Sequence, residues 1–273
     1  EGDVVNHWSF DSMPANHCVL LANSNILWIG RRGESKVKGF DGMATELVEK
    51  DWDGNEVWRY DDPFLNHDFA RLENENTIIN RYVKVPEKIA KHIKGGLPGT
   101  EVDGSIWSSS FQEITKNGEV VWEWNHYEHL NLGKDVLCPL CPRSIWGYTN
   151  AVEILPDNNI LFTLRFLNTL AILDKASGEI IWRGGPEHGL GHPHNPTFLE
   201  NGNILVFDNG LHRIPPKDAP FALSEEEFSR IVEINPKTNE IEWEYEDQLN
   251  HFYSPICGGT QRLKNGNTLV CET

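Results

Sequence analysis

The sequence predicts an all-β fold, a single-domain β-propeller of five four-stranded blades, and three observations predict it. An apolar residue, a tight Asn/Gly-rich turn and an apolar run recur as Leu21-ANSN-IL, Leu72-ENEN-TI, Leu155-PDNN-IL, Leu199-ENGN-IL and Leu263-KNGN-TL. Each copy is matched by a Trp-ended strand: VVNHW at Trp8, GNEVW at Trp58, GEVVW at Trp122, GEIIW at Trp182 and NEIEW at Trp243. The copies run through all 273 residues without a linker, so residues 1–273 read as one domain. A unit of this kind cannot bury its own faces and must stack on its neighbours.

Each element follows from its residues. The turn motif joins two strands, as in HNPTFL, ENGN, ILVFD at 194–208, where Asn and Gly supply the positive φ of a primed hairpin turn. The Trp motif is a second hairpin, SRIVEIN, PKTN, EIEWEY at 229–245. Two hairpins in series give a four-stranded sheet, the size of one blade. Units begin near Asn16, His67, Asn150, His194 and Gly258, and the last holds only its first hairpin. Residues 2–10, GDVVNHWSF, read as the outermost strand of that blade, so that the two termini share it and close the ring. A sixth blade fits only if an irregular one hides in the long segments. Three insertions interrupt the repeat, near 82–106, 125–148 and 210–228. The first carries a short helix, PEKIAKHIKGG, ended by Gly95, and the last a helix capped by Ser224.

Lys and Arg number 24 against 41 Asp and Glu, a formal charge of −17, whose field repels phosphate backbones and anionic membranes. Nucleic acid is therefore excluded as the expected partner. No apolar run reaches the roughly 20 residues of a membrane helix. The chain starts at Glu1 with no basic-then-apolar leader, which leaves the compartment open. Five cysteines, Cys18, Cys138, Cys141, Cys257 and Cys271, do not make a disulfide framework. The C-P-L-C-P loop at Cys138 and Cys141 reads as a local disulfide, half of a zinc site or two plain thiols.

Superposing the five turns brings Asn16, His67, Asn150, His194 and Gly258 to equivalent positions at the start of the first strands. Arg31, Arg81, Arg165, Asn209 and Glu272 stand at the ends of the second strands, with Arg213 just beyond. Antiparallel pairing puts both sets at one mouth of the channel. Arg offers permanently charged planar donors, and His exchanges protons near neutrality, so the expected ligand is a small anionic or aromatic molecule. The plain alternative is that these Arg pair with acidic loop residues while His and Asn satisfy strand ends. His192 and His194 alternate as HxH and, on an extended strand, would share a face and bind a metal with His67 or His129. Nothing in the sequence requires a cofactor, and a metal at the mouth is the one such group it leaves room for. His7, His92, His188 and His212 read as structural or solvated, and the repeated Trp as packing between blades.

The segment 191–213, GHPHNPTFLENGNILVFDNGLHR, resembles the arylsulfotransferase family of β-propellers, which carries His-Asp or His-Asn before the turn and FDNG followed by Arg after it. The resemblance extends to YTNAVEILPDNNILFTLR at 148–165, NTLAILDKASGEIIWRGG at 168–185, FYSPICGGTQRLKNGNTLVCE at 252–272 and NHDFARLENENTI at 66–78. It implies sulfuryl transfer between phenols through a sulfated histidine, and a periplasmic or secreted setting. His194 and Arg213 match the family's channel His and Arg, implying proton transfer or sulfuryl binding for the first and charge stabilisation for the second. His67 and Tyr148 complete the implied catalytic set, with Arg81, Arg165, Asn150, Asn195 and Asn209 around the substrate.

Two departures matter. Tyr148 stands where the family has another His, and SPICGG puts Ile256 and Cys257 where a reactive side chain is expected, His251 lying just upstream. Tyr has a reference pKa near 10 and is a weaker neutral-pH base than His. A His/Tyr acid–base pair running a lyase or hydrolase step, with or without a metal, is therefore an alternative. A non-catalytic propeller binding a ligand or partner through its rim loops is a second.

Overall fold

A computed structural model of the chain describes residues 2–40, 42–213, 227–247 and 252–273; Ser224 and His251 lie outside them. Among the described residues the structure is all-β, a β-propeller with four four-stranded blades, and the helices are single turns at Glu87–Ala90 and His126–His129 and two short 3-10 segments.

The chain forms two compact units, residues 1–83 with 109–124, and residues 84–108 with 125–273. The first holds the sheet Met13–Leu20, Ile26–Arg31, Glu46–Lys50, Glu56–Asp61 and the sheet Leu65–Arg71, Thr77–Lys84, Trp107–Ile114, Val120–Asn125. Leu27, Ile29, Leu47, Leu65, Phe69 and Ile79 form its core. The second holds the sheet Val152–Ile154, Ile160–Leu164, Thr169–Asp174, Glu179–Gly184 and the sheet His194–Phe198, Ile204–Asp208, Arg230–Asn235, Glu240–Glu246. Leu161, Leu170, Ile204, Val206, Val232 and Ile234 pack there, each buried side chain contributing about 1.5–3 kcal/mol. The fifth repeat forms the hairpin Gly259–Arg262 with Thr268–Cys271.

All five repeat turns share one geometry. The Leu N–H donates to the carbonyl of the Asn four residues on, at 2.7–2.9 Å, and that Asn's own N–H donates to the Asn or Asp side chain two residues before it, at 3.0–3.1 Å. Only the residue just before this final Asn has positive φ: Ser24, Glu75, Asn158, Gly202 and Gly266. This is a type I turn followed by one left-handed residue, not the primed turn expected from the Asn-Gly pairs, which needs positive φ at the first central position or at both. The side-chain acceptor stabilises the type I geometry, and so the Asn serves the turn without entering the left-handed region itself.

Residues 2–10 form no strand, unlike the outermost strand expected of them. Side chains tether them to the first sheet instead: Trp8 Nε1 donates to Asp51 O at 2.8 Å, Lys50 Nζ donates to Ser9 O, and Phe10 stacks on Trp28 with ring centroids 4.6 Å apart.

Trp and Arg tie adjacent blades within each unit. Arg71 lies 4.7 Å over Trp58 and pairs with Glu49 at 2.8 Å. Arg262 lies 4.9 Å over Trp243 and pairs with Glu233 at 2.8 Å. The insertions near 82–106 and 125–148 form strands of their own. Leu137–Pro142 pairs in parallel with Gly95–Leu97, and Ile145–Trp146 pairs with Trp107 and Ser108.

Candidate functional site

The site is built in the second unit. Strand Ile160–Leu164 ends in a 3-10 turn, Arg165–Leu167, stopped by Asn168 at φ 52°. The Arg165 N–H donates to Tyr148 O at 3.0 Å and the Phe166 N–H to Gly147 O at 3.2 Å, which sets Tyr148 beside the turn. Tyr148 packs on Phe166 with centroids 4.8 Å apart, and the Arg165 guanidinium lies 5.3 Å from the Phe166 ring and 5.7 Å from that of Tyr148. Arg165 is 7 % exposed. Among the described residues its side chain has no carboxylate partner, and its buried Nε has no hydrogen-bond acceptor. Among the described residues this burial leaves the guanidinium without a paired carboxylate, and a buried ion that lacks a partner costs several kcal/mol.

His194 opens strand His194–Phe198, and the FDNG run ends the strand that pairs with it. Each residue of that run has a job. Phe207 packs edge-on against Phe252. Asp208, fully buried, pairs with Arg230 at 2.8 Å and Arg213 at 3.3 Å. Asn209 Nδ2 donates to the carbonyls of Ser254 at 2.5 Å and Cys257 at 2.7 Å, which fixes the amide so that Oδ1 faces His194 Nδ1 at 2.6 Å. Gly210 has φ 77°, and a Cβ there would stand 1.9 Å from Phe228 O.

The tautomer of His194 follows. Its Nδ1 faces two acceptors, Asn209 Oδ1 and His192 O at 3.1 Å, so Nδ1 carries the proton and Nε2 keeps its lone pair. Burial, with the Arg165 charge adding to it, pushes the His194 pKa down to about 3. Both effects favour the neutral ring.

Next to this lies a cluster that no single segment announces. Cys141 Sγ is 3.2 Å from His192 Nε2 and 3.5 Å from His212 Nδ1, and Cys138 Sγ is 3.5 Å from His212 Nδ1. All four candidate ligand atoms lie within 4.8 Å of one another. The Cys141 thiol and His192 hold Cys138 well below the usual thiol range, while the Cys138 thiolate and burial push Cys141 up. Burial pushes His192 down. His192 and His212 both have left-handed backbones, φ 54° and 53°, and their rings meet at 79° with centroids 5.0 Å apart.

The expected residues divide by what they touch. Asn150 Nδ2 reaches Pro193 O at 3.3 Å and its Oδ1 accepts from Thr163 Oγ1, while Asn195 Oδ1 accepts the Thr260 N–H at 2.8 Å, so both join neighbouring strands. Arg213 donates to Phe228 O at 3.0 Å in addition to its pairing with Asp208. His67 and Arg81 belong to the first unit. There His67 Nδ1 meets Asn66 Oδ1 and Arg81 Nε donates to Asp62 at 2.8 Å. His192 and His194 do not share a face, because the left-handed φ of His192 breaks the extended alternation on which an HxH pair depends. The cluster takes His192 with two cysteines, and neither His194 nor His129. His212, read as structural or solvated, was the residue missed. The signal for it was a His two residues after FDNG in a chain that also carries CxxC.

The segment holding His194, FDNG and Arg213 lies within the part of the chain that matches a known family. Residues 190–273 match the arylsulfotransferase (ASST) family. The arylsulfotransferase match takes in His194, Asn195, Asn209, Arg213, His192 and His212, and stops short of Tyr148, Arg165 and the two cluster cysteines. No curated protein matches the chain significantly. Similar solved structures include a protein of unknown function from Bacteroides caccae, 13 % identical, covering 86 % of this chain and 68 % of that one with a TM-score of 0.49. A streptogramin B lyase is 10 % identical over 94 % of this chain and 67 % of its own, with a TM-score of 0.48. The virginiamycin B lyase of Staphylococcus aureus is 12 % identical over 97 % and 85 %, with a TM-score of 0.47.

Proposed function

We propose that the second unit carries an arylsulfotransferase-like active site that moves a sulfuryl group between small phenols through His194. The observation that carries this reading is Arg165, a buried cation without a carboxylate partner among the described residues, whose charge is felt by an imidazole with a free Nε2. A buried Arg of this kind is compensated when an anionic ligand enters, and a sulfate ester supplies that anion.

In the proposed reaction His194 Nε2 attacks the sulfur of an aryl sulfate. The N–S bond forms as the aryl O–S bond breaks, and the departing phenolate takes a proton from Tyr148. The positive charge that develops on the ring is spread towards the Nδ1–H, where Asn209 Oδ1 and His192 O accept it. Arg165 holds the three sulfuryl oxygens as charge gathers on them. An acceptor phenol then attacks the sulfur, the N–S bond breaks, and the acceptor's proton goes to the Tyr148 phenolate, which restores the starting state. Asn150, Asn195 and Arg213 hold the walls of the site through the strand ends they tie. His67 and Arg81, in the first unit, take no step in this scheme.

Transfer from a nitrophenyl sulfate to a phenol tests it. His194→Ala is expected to lower kcat by at least about a thousandfold and Arg165→Ala by about a hundred- to a thousandfold, with circular dichroism unchanged. No transfer by the unaltered chain, with turnover of unsulfated substrates that still needs His194 and Tyr148, would support acid–base lyase or hydrolase chemistry in its place. Binding without turnover of any kind would support the rim-loop binding module.

A further inference from the structure

We propose that Cys138, Cys141, His192 and His212 form a tetrahedral site for a zinc ion that clamps the 137–142 strand to both ends of the hairpin bearing His194. Sequence, geometry and charge each support it. The four side chains come from three separate segments, and the S–N separations of 3.2–3.5 Å between them lie near a tetrahedron's edge. With Zn–S of about 2.3 Å and Zn–N of about 2.0–2.1 Å, that edge is about 3.6 Å.

The donor set selects the metal. Two thiolates and two imidazoles favour zinc over magnesium or calcium, whose sites are built from oxygen. Cys138, Cys141 and His192 are buried, His212 is partly exposed, and four protein ligands close the coordination sphere, the mark of a structural and not a catalytic zinc. With both cysteines bound as thiolates the site has zero net charge, two thiolates against one divalent cation. The Arg165 charge therefore stays available for an anion.

The consequence is mechanical. His192 lies two residues before His194, and His212 three after Asn209, the residue that fixes the His194 tautomer. The insertion strand is itself anchored by parallel pairing with Gly95–Leu97. One ion would thus hold the two ends of the hairpin against a fixed strand, independently of which reaction His194 performs.

The test is metal content. The full chain, produced without a metal-binding tag and kept reduced, is expected to contain about one zinc per chain. Cys138→Ser with Cys141→Ser, and separately His212→Ala, should lower zinc affinity by at least about tenfold, whereas Cys18→Ser and Cys257→Ser keep it. For the unaltered chain, stripping with a chelator should lower Tm, and adding cobalt(II) should give the intense visible absorption of tetrahedral thiolate coordination. This second measurement needs no variant that could misfold. Wild-type chain free of zinc that gives no cobalt spectrum would overturn the proposal. So would zinc content unchanged in the double serine variant, or a Cys138–Cys141 disulfide whose reduction yields no cobalt site.

Discussion

Asn209 shows how much one side chain settles. Both its amide hydrogens are taken by the carbonyls of Ser254 and Cys257, so its oxygen can only accept, and His194 must present its proton on Nδ1. Asn209→Ala is expected to leave the ring free to adopt the other tautomer and to lower kcat about a hundredfold, with KM little changed; an equal loss in KM alone would make Asn209 a binding residue only. It should also cost about 1 kcal/mol of stability through the lost amide hydrogen bonds to the Ser254 and Cys257 carbonyls, read as a lower denaturant midpoint. Gly210 is fixed by shape. A Cβ 1.9 Å from Phe228 O, at φ 77°, forces the chain to move, so Gly210→Ala should cost more than the about 1–2 kcal/mol that left-handed strain alone explains. The FDNG run was legible as a motif in the sequence, and its chemistry was not, because Phe252, Arg230, Ser254 and Cys257, which hold it, lie outside the hairpin that contains it.

At the scale of elements the repeat was legible for a physical reason. Each turn satisfies its hydrogen bonds locally, with an Asn or Asp two residues after the Leu and an Asn four after, and local bonds leave local sequence signatures. Asn265→Ala is expected to cost about 1 kcal/mol through its lost bond to the Asn267 N–H, and Lys264→Ala next to it close to nothing; equal costs would show that the side-chain acceptor does not set the turn. The turn class was misjudged because Asn-Gly serves both a primed turn and a type I turn with a left-handed exit, and only φ separates them. Between blades, Arg71 joins Trp58 to Glu49, and Arg71→Ala should cost roughly 1.5–3 kcal/mol by leaving a nearly buried carboxylate unpaired. A double-mutant cycle with Glu49→Gln that gave no coupling would remove the ion pair from this explanation. The Cys/His cluster was the least legible part. Its cysteines lie 51 residues and more before its histidines, and neither periodicity nor spacing reports a meeting of that kind.

For the whole molecule, the governing quantity is charge. With 41 acidic and 24 basic side chains the folded chain repels itself, so moderate salt should raise its Tm, by roughly 2–4 °C for each kcal/mol of repulsion screened. A fall in Tm with salt would mean that ion pairs such as those of Asp208 and Glu49 outweigh the net field. Among the described residues no helix is long and apolar enough to cross a membrane. The buried cation at Arg165 stands out against this acidic background, and the sulfuryl-transfer reading depends on what it holds. The most direct measurement is rapid-quench mass spectrometry of the chain mixed with an aryl sulfate and no acceptor. A chain heavier by one sulfuryl group, with the addition mapped to His194 and discharged by a phenol, is the expected result. Phenol released with no addition to the chain, or with the group carried on another residue, would contradict it.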